Sequence, residues 1–447
     1  MISHSPFLAA CQECGKVSRV PHLPEDQTAF CPRCGNSLVV RIKGCHTKVF
    51  AYGLAALILQ VVSCFFPFMA IDVEGITQQV ALIDVLIVFF YFHKAALASL
   101  LLLTIIFLPA FYLVGLITLF AMAWYSATVQ KHPGDSAWAK RLFRFVFCIE
   151  PWLLVDIFFI GALVSIIKMA SLSDISIGNA FWTYFFFALL VVKCSRMADR
   201  HWLCAYLFAP VSIGDVQPGD SHLTGNHLVC RLCNQINPVT DSNVDAPGHC
   251  QRCHFRLYPY NPGQSIRLTA ALLMTSLIFY FPANLYPMMY TTSFGDSSGS
   301  TIMEGVIFLW NEGSYPVALV ILAASIILPL SKMLILTHLL WSLRRQGEAS
   351  QVVLERLHLY RFIEVIGRWS MIDVFVVAIL SALVQFGELM GVTPGRAVFY
   401  FALVVIFTLL STGFFDPRIL WQNISDPDCH GHKTPKDCLR FDNKEAL

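Results

Sequence analysis

Eight separate apolar runs constrain this chain more than any other feature; they lie near 49–70, 96–124, 146–168, 177–193, 268–290, 315–341, 369–389 and 397–414. Crossing a bilayer takes roughly 20 residues of helix, somewhat fewer where flanking charges snorkel. Within hydrocarbon each backbone N–H and C=O must find its partner inside the segment, so runs of this length predict helices. Composition agrees: 56% of the 447 residues are hydrophobic and 13% charged, with a mean hydropathy of +0.62. Soluble enzymes and nucleic-acid-binding modules do not have such a composition. The expected fold class is an α-helical polytopic membrane protein with eight spans, with the membrane as its solvent and no nucleic-acid partner.

Positive charge sets orientation, because Lys and Arg near span ends stay on the cytoplasmic side. Segments 1–48, 126–147, 193–267, 342–368 and 416–447 hold 27 of the 31 Lys and Arg residues. Lys94, Lys168 and Arg396 lie at the opposite span ends, and Lys332 lies inside a span. Both termini and the loop joining the halves are therefore expected in the cytoplasm. The outward loops are short and acidic, with Asp72, Glu74, Asp84, Asp174, Asp296, Glu304 and Glu312, and no sizeable outward domain is expected.

Shifted by 217–220 residues, the chain matches itself at unrelated landmarks. Cys11, Cys14, Cys31 and Cys34 return as Cys230, Cys233, Cys250 and Cys253; Leu108-Pro109 returns as Leu328-Pro329; and P-W-L-L-V-D-I-F from Pro151 returns as R-W-S-M-I-D-V-F from Arg368. A common offset marks a duplicated unit. With an even number of spans per copy, both copies point the same way: a tandem parallel repeat of ribbon plus four transmembrane helices. The expected divisions are a ribbon at 1–48, spans within 49–208, a linker and second ribbon at 209–266, spans within 267–415 and a cytoplasmic tail at 416–447.

Both cysteine sets read C-x2-C-x16-C-x2-C, the spacing of a zinc ribbon in which two knuckles present four thiolates to one ion. A cytoplasmic address disfavours disulfides. Two zinc ions per chain are expected, with redox-active iron as the alternative, since C-Q-E-C-G and C-P-R-C-G resemble rubredoxin knuckles. The second copy lacks those glycines. Cys429, His430, His432 and Cys438 in the tail fit no ribbon spacing.

An ionisable group deep in a bilayer costs on the order of 2.5–3.5 kcal/mol even on lenient scales, so each one needs a reason. Lys332 precedes Arg344 by twelve residues and Asp373 follows Arg361 by twelve, which puts both about 18 Å from the cytoplasmic charges. They could pair across neighbouring helices as a structural lock. They could equally line a polar pocket with Ser325, Ser370 and Thr408, because Asp373 has a repeat mate in Asp156 whereas Lys332 has Tyr112. Arg368 and Trp369 read as an interface anchor.

I-G-R-W-S-M-I-D-V-F (366–375), F-P-A-N-L-Y-P-M-M (281–289), G-S-Y-P (313–316) and F-D-P-R-I-L-W (415–421), within the duplicated layout, resemble the paraquat-inducible protein A family of bacterial inner-membrane proteins. The resemblance implies a membrane partner for periplasmic MCE-domain proteins in phospholipid transport between membranes. It maps a transport pocket onto Lys332, Ser370 and Asp373, with Ser325 and Thr408 beside them, and does not extend to the first copy, where Pro151 and Leu153 replace Arg368 and Ser370. No enzymatic activity is expected. A redox membrane protein with iron ribbons is the competing reading, and a scaffold whose ribbons recruit a partner is a third.

Overall fold

The computed structural model describes residues 7–422 and 441–443, apart from 22, 74–75, 84–98, 100–101, 130–136, 171–173, 212, 240–247, 294–295, 314, 344–349 and, between 368 and 389, all but 369, 372, 375, 376, 379, 385 and 386. The first half opens with two hairpins, β1 (Phe7–Ala10) with β2 (Val17–Val20) and β3 (Gln27–Phe30) with β4 (Ser37–Val40). The first span is α1 (Cys45–Phe65), followed by the hairpin β5 (Pro67–Val73) and β6 (Ile76–Ala81). Next come α2 (Leu108–Val129), α3 (Ala137–Ile149), α4 (Val155–Ala170), β7 (Asp174–Ile177), α5 (Asn179–Met197) and a short α6 (Arg200–Leu207).

The second half repeats this order. A small hairpin of β8 (His227–Val229) and β9 (Ile236–Pro238) leads to α7 (Pro262–Leu285), then β10 (Met289–Ser293) with β11 (Asp296–Ser300). It continues with α8 (Ile302–Asn311), α9 (Tyr315–Leu322), α10 (Leu328–Ser342), α11 (Ser350–Gly367), β12 (Gln385–Phe386), β13 (Met390–Pro394) and α12 (Arg396–Phe414). Among the described residues seven helical segments are long and apolar enough to cross a membrane. The expected span at 369–389 lies mostly outside the described residues; its Ile372, Phe375, Val376 and Ile379 are helical and buried.

Three of the expected spans differ in detail. The run 146–168 is not one helix: α3 stops at Ile149, a 3-10 turn covers Glu150–Trp152, and α4 starts at Val155. Pro151 has no N–H to continue the ladder. Ahead of Pro109 and Pro329 the helices widen into π turns at Leu102–Phe107 and Ala323–Ile327. Each proline forfeits an i→i−4 bond, and a π turn takes up the misfit.

The short loops expected to face outward form small sheets. In the first half β7 pairs with β5, and in the second β13 pairs with β10, so the strand before the fourth span locks onto the hairpin after the first. Gly178 and Gly395 make this possible: a Cβ would sit 2.1 Å from the carbonyl oxygen of Pro67 or of Pro287. The halves meet where Gly161 of α4 admits Phe375 at 3.1 Å from an added Cβ, Phe158 meets Phe375 edge-on, and Ser165 Oγ donates to Val376 O at 3.4 Å.

At the other end of the helices the ribbons sit crosswise. The first ribbon shares a core with the second helical unit, and the second ribbon's cysteines join the core of the first. Arg361 of α11 donates to Cys34 O at 2.9 Å and grips Glu13 with bonds of 3.1 and 3.2 Å from Nε. Its repeat mate Arg144 of α3 donates to His254 O at 3.1 Å. Pro417–Trp421, in the expected tail, is a buried 3-10 turn, with Arg33 of the first ribbon stacked 4.5 Å over Trp421. Farther on, Phe441–Asn443 adds a strand, β14, to β3.

Candidate metal centres and a buried lysine

Each ribbon brings four cysteines together. Cys11, Cys14, Cys31 and Cys34 form one buried set, and Cys230, Cys233, Cys250 and Cys253 the other, with all sulfurs of a set within 4.8 Å of one another. The closest pairs are Cys11–Cys34 at 3.4 Å, Cys14–Cys31 at 3.5 Å, and Cys230–Cys253 and Cys233–Cys250 at 3.6 Å. A tetrahedral ion with metal–sulfur bonds of about 2.3 Å needs sulfurs roughly 3.8 Å apart, so the donor set fits one ion per ribbon. A closed four-thiolate site leaves no open position for catalysis; the ion would pin two knuckles that have little core of their own.

The knuckles share one backbone. The residue after each second cysteine donates its N–H to the carbonyl of the first: Gly15 to Cys11 and Gly35 to Cys31 at 2.9 Å, Asn234 to Cys230 at 3.0 Å and His254 to Cys250 at 2.9 Å. All four take a left-handed conformation, with φ of 72°, 70°, 56° and 56°. The missing glycines of the second copy therefore mark no change of knuckle, because Asn and His are among the non-glycine residues that tolerate this region best. Gly15 has a second reason to be glycine, since a Cβ would lie 2.2 Å from Nδ1 of His222.

Lys332 is fully buried on α10. Its Nζ donates to Gly367 O, at the C-terminus of α11, at 3.2 Å and to Thr408 Oγ1 of α12 at 3.3 Å. The Thr408 hydroxyl spends its own proton on Val405 O at 2.9 Å, leaving lone pairs for the amine. A helix C-terminus carries partial negative charge, which suits an ammonium group. Three helices thus converge on one cation. Ser325 is buried seven residues, about two turns, earlier on the same span, within the π segment Ala323–Ile327. Trp369 is half exposed, while Arg368, Ser370 and Asp373 lie outside the described residues.

In the first half Tyr112 takes the place of Lys332, fully buried and, among the described residues, with no partner for its hydroxyl. The Gly367 carbonyl had no sequence signal as a ligand, since backbone acceptors are anonymous. Glu13 was equally silent, with nothing in the sequence to link it to Arg361.

The family model described as paraquat-inducible protein A matches residues 46–207 and 266–425. The intermembrane transport protein PqiA of Escherichia coli (strain K12) is 37% identical over 421 residues, covering 94% of this chain and 96% of that protein. A probable intermembrane transport protein of Haemophilus influenzae is 27% identical over 94% of this chain and 97% of its own length. The lipophilic envelope-spanning tunnel protein A of Escherichia coli (strain K12) is 25% identical, over 92% of this chain and 90% of that one. No solved structure matches.

Proposed function

The chain belongs to the paraquat-inducible protein A family, and from that premise we propose that it is the inner-membrane component of an intermembrane phospholipid transport system. It passes lipid to or from a bridge built by a periplasmic MCE-domain protein. The names of its relatives, an intermembrane transport protein and an envelope-spanning tunnel protein, support the class. Among the described residues the segments expected to face outward form two small sheets, which supports a separate partner for the bridging. The lipid-handling site is a polar pocket in the second helical unit, made by Lys332, Thr408, Ser325, Ser370 and Asp373. The observation that carries this is the amine of Lys332, wholly buried between three helices at a place where the repeat mate is Tyr112. An architecture that accepts tyrosine there does not require a lysine, and a cation in hydrocarbon is retained for what it binds. Both ribbons hold structural zinc on the cytoplasmic side.

The test replaces Lys332 by Met and Asp373 by Leu together. A purely structural pair tolerates removal of both partners, whereas losing only one strands a charge at about 3–5 kcal/mol. The double variant is expected to reach the membrane and bind its partner yet fail to support envelope integrity in cells without redundant lipid transport. Normal function at normal expression would remove both residues from the mechanism.

One observation favours the redox reading: all four knuckles share the rubredoxin-like backbone, including the two without glycine. Metal analysis of purified protein separates the two. Colourless zinc supports transport with structural ribbons, and iron with visible absorbance supports electron transfer.

A further inference from the structure

Between α3 and the second ribbon lies a cavity of about 420 Å³ lined by Ala137, Lys140, Arg141, Arg144, His249 and His254. Among these described residues three are cations, two are imidazoles able to donate, and none is acidic. Among the described residues, Arg144 donates to two carbonyls, Lys140 O at 3.3 Å and His254 O at 3.1 Å. In the other half the same place is built differently. Arg361, mate of Arg144, is neutralised by Glu13, whereas the mate of Glu13 is Leu232; the mates of Lys140, His249 and His254 are Leu357, Phe30 and Gly35. The positive cavity thus exists in one copy of a duplicated fold, and the architecture does not demand it. On the same helix, Trp138 and Phe145 are more than half exposed and seven residues apart, so the cationic face borders an aromatic face suited to the membrane interface.

We infer that this cavity is a binding site for a phosphate-bearing anion, a chemistry that clustered Arg and Lys recognise through charge-assisted hydrogen bonds. The ligand is the headgroup of an anionic phospholipid of the adjoining leaflet or free phosphate. The site shares no residue with the Lys332 pocket and does not rest on the transport reading.

The full-length protein, in phosphatidylcholine nanodiscs doped with phosphatidylglycerol, would be analysed by native mass spectrometry for retained lipid. Wild type is expected to keep phosphatidylglycerol over phosphatidylcholine. Lys140→Gln with Arg141→Gln should weaken that retention about tenfold or more, as loss of two charge-assisted bonds implies, and Lys140→Arg with Arg141→Lys should preserve it. Arg144 is left intact because it seats the ribbon, and unchanged metal content in each variant confirms that the ribbon is folded. Excess inorganic phosphate that leaves lipid retention intact identifies the headgroup. Phosphate that binds with the same variant sensitivity and displaces the lipid identifies the free anion. Equal retention of both lipids, or equal retention by all variants with no variant-sensitive phosphate binding, would overturn the site. The Lys332→Met, Asp373→Leu variant should bind as wild type, which keeps this result separate from the fate of the transport pocket.

Discussion

Asp199 and Asp416 are repeat mates at the ends of their fourth spans, and their neighbours give them opposite chemistry. Asp416 is pushed up by burial, but hydrogen bonds and charge from Arg418 outweigh this and hold its carboxyl below the usual range. The mate of Arg418 is His201, which burial and the nearby Arg252 and Arg41 depress to about 4, so it is uncharged at neutral pH. Asp199 thus lacks the counterpart of Arg418, and burial raises it to about 6 despite N–H donors from Trp202 and Ile42 and the charge of Arg41. A folded value above the unfolded one means that folding favours the neutral acid. The stability contributed is complete below about pH 4 and is lost as pH rises through about 6, with up to about 3 kcal/mol at stake by pH 7.5. Asp199→Asn keeps the cap, since Asn caps as well as Asp. Its melting temperature should exceed wild type at pH 7.5, with the advantage shrinking toward pH 5; a pH-independent difference would show that the carboxyl does not titrate there.

At the scale of elements, the ribbons carry the clearest expectations. Cys11→Ser with Cys14→Ser should lower the metal from two ions to about one per chain, because each four-thiolate set closes its own site; unchanged content by plasma emission spectroscopy would refute the assignment. Glu13→Gln should leave both ions in place while loosening the first ribbon from α11. The lost charge-assisted bonds to Arg361 imply about 1.5–3 kcal/mol, seen as an earlier thermal transition. The cysteine spacing made both ribbons legible from the chain alone. The crossed seating was not, because Arg361 meets Glu13 across 348 positions and no local pattern records such a contact. The outward sheets were missed for a similar reason: β5 and β7 are short, and they become a sheet only by pairing with each other.

At the scale of the whole molecule, the charge bias predicts that both ribbons face the cytoplasm and both sheets lie outside. Single cysteines at Ser300, in β11, and Ser350, at the start of α11, test this in a background with controlled labelling. A membrane-impermeant thiol reagent should label position 300 from the outward face and position 350 only after lysis. The reverse pattern would overturn the orientation. The seam at Gly161, Ser165 and Phe375 lies between the two units.

By itself the sequence determined the number of units, their parallel order, the helical class and the two metal sets, all written in local composition or fixed spacing. Hydrocarbon admits few backbone solutions and four thiolates admit one geometry, so these features leave a trace at every repeat. It also marked Lys332 as anomalous, since the charge stands alone in an apolar run. The tertiary structure decided what that charge meets: a carbonyl at the end of one helix and a hydroxyl on another. It also decided that each ribbon sits on the opposite unit and that Arg144 faces a cavity where its mate faces a carboxylate. Those outcomes depend on which surfaces come together, and a one-dimensional chain does not specify contacts between distant residues until packing selects them.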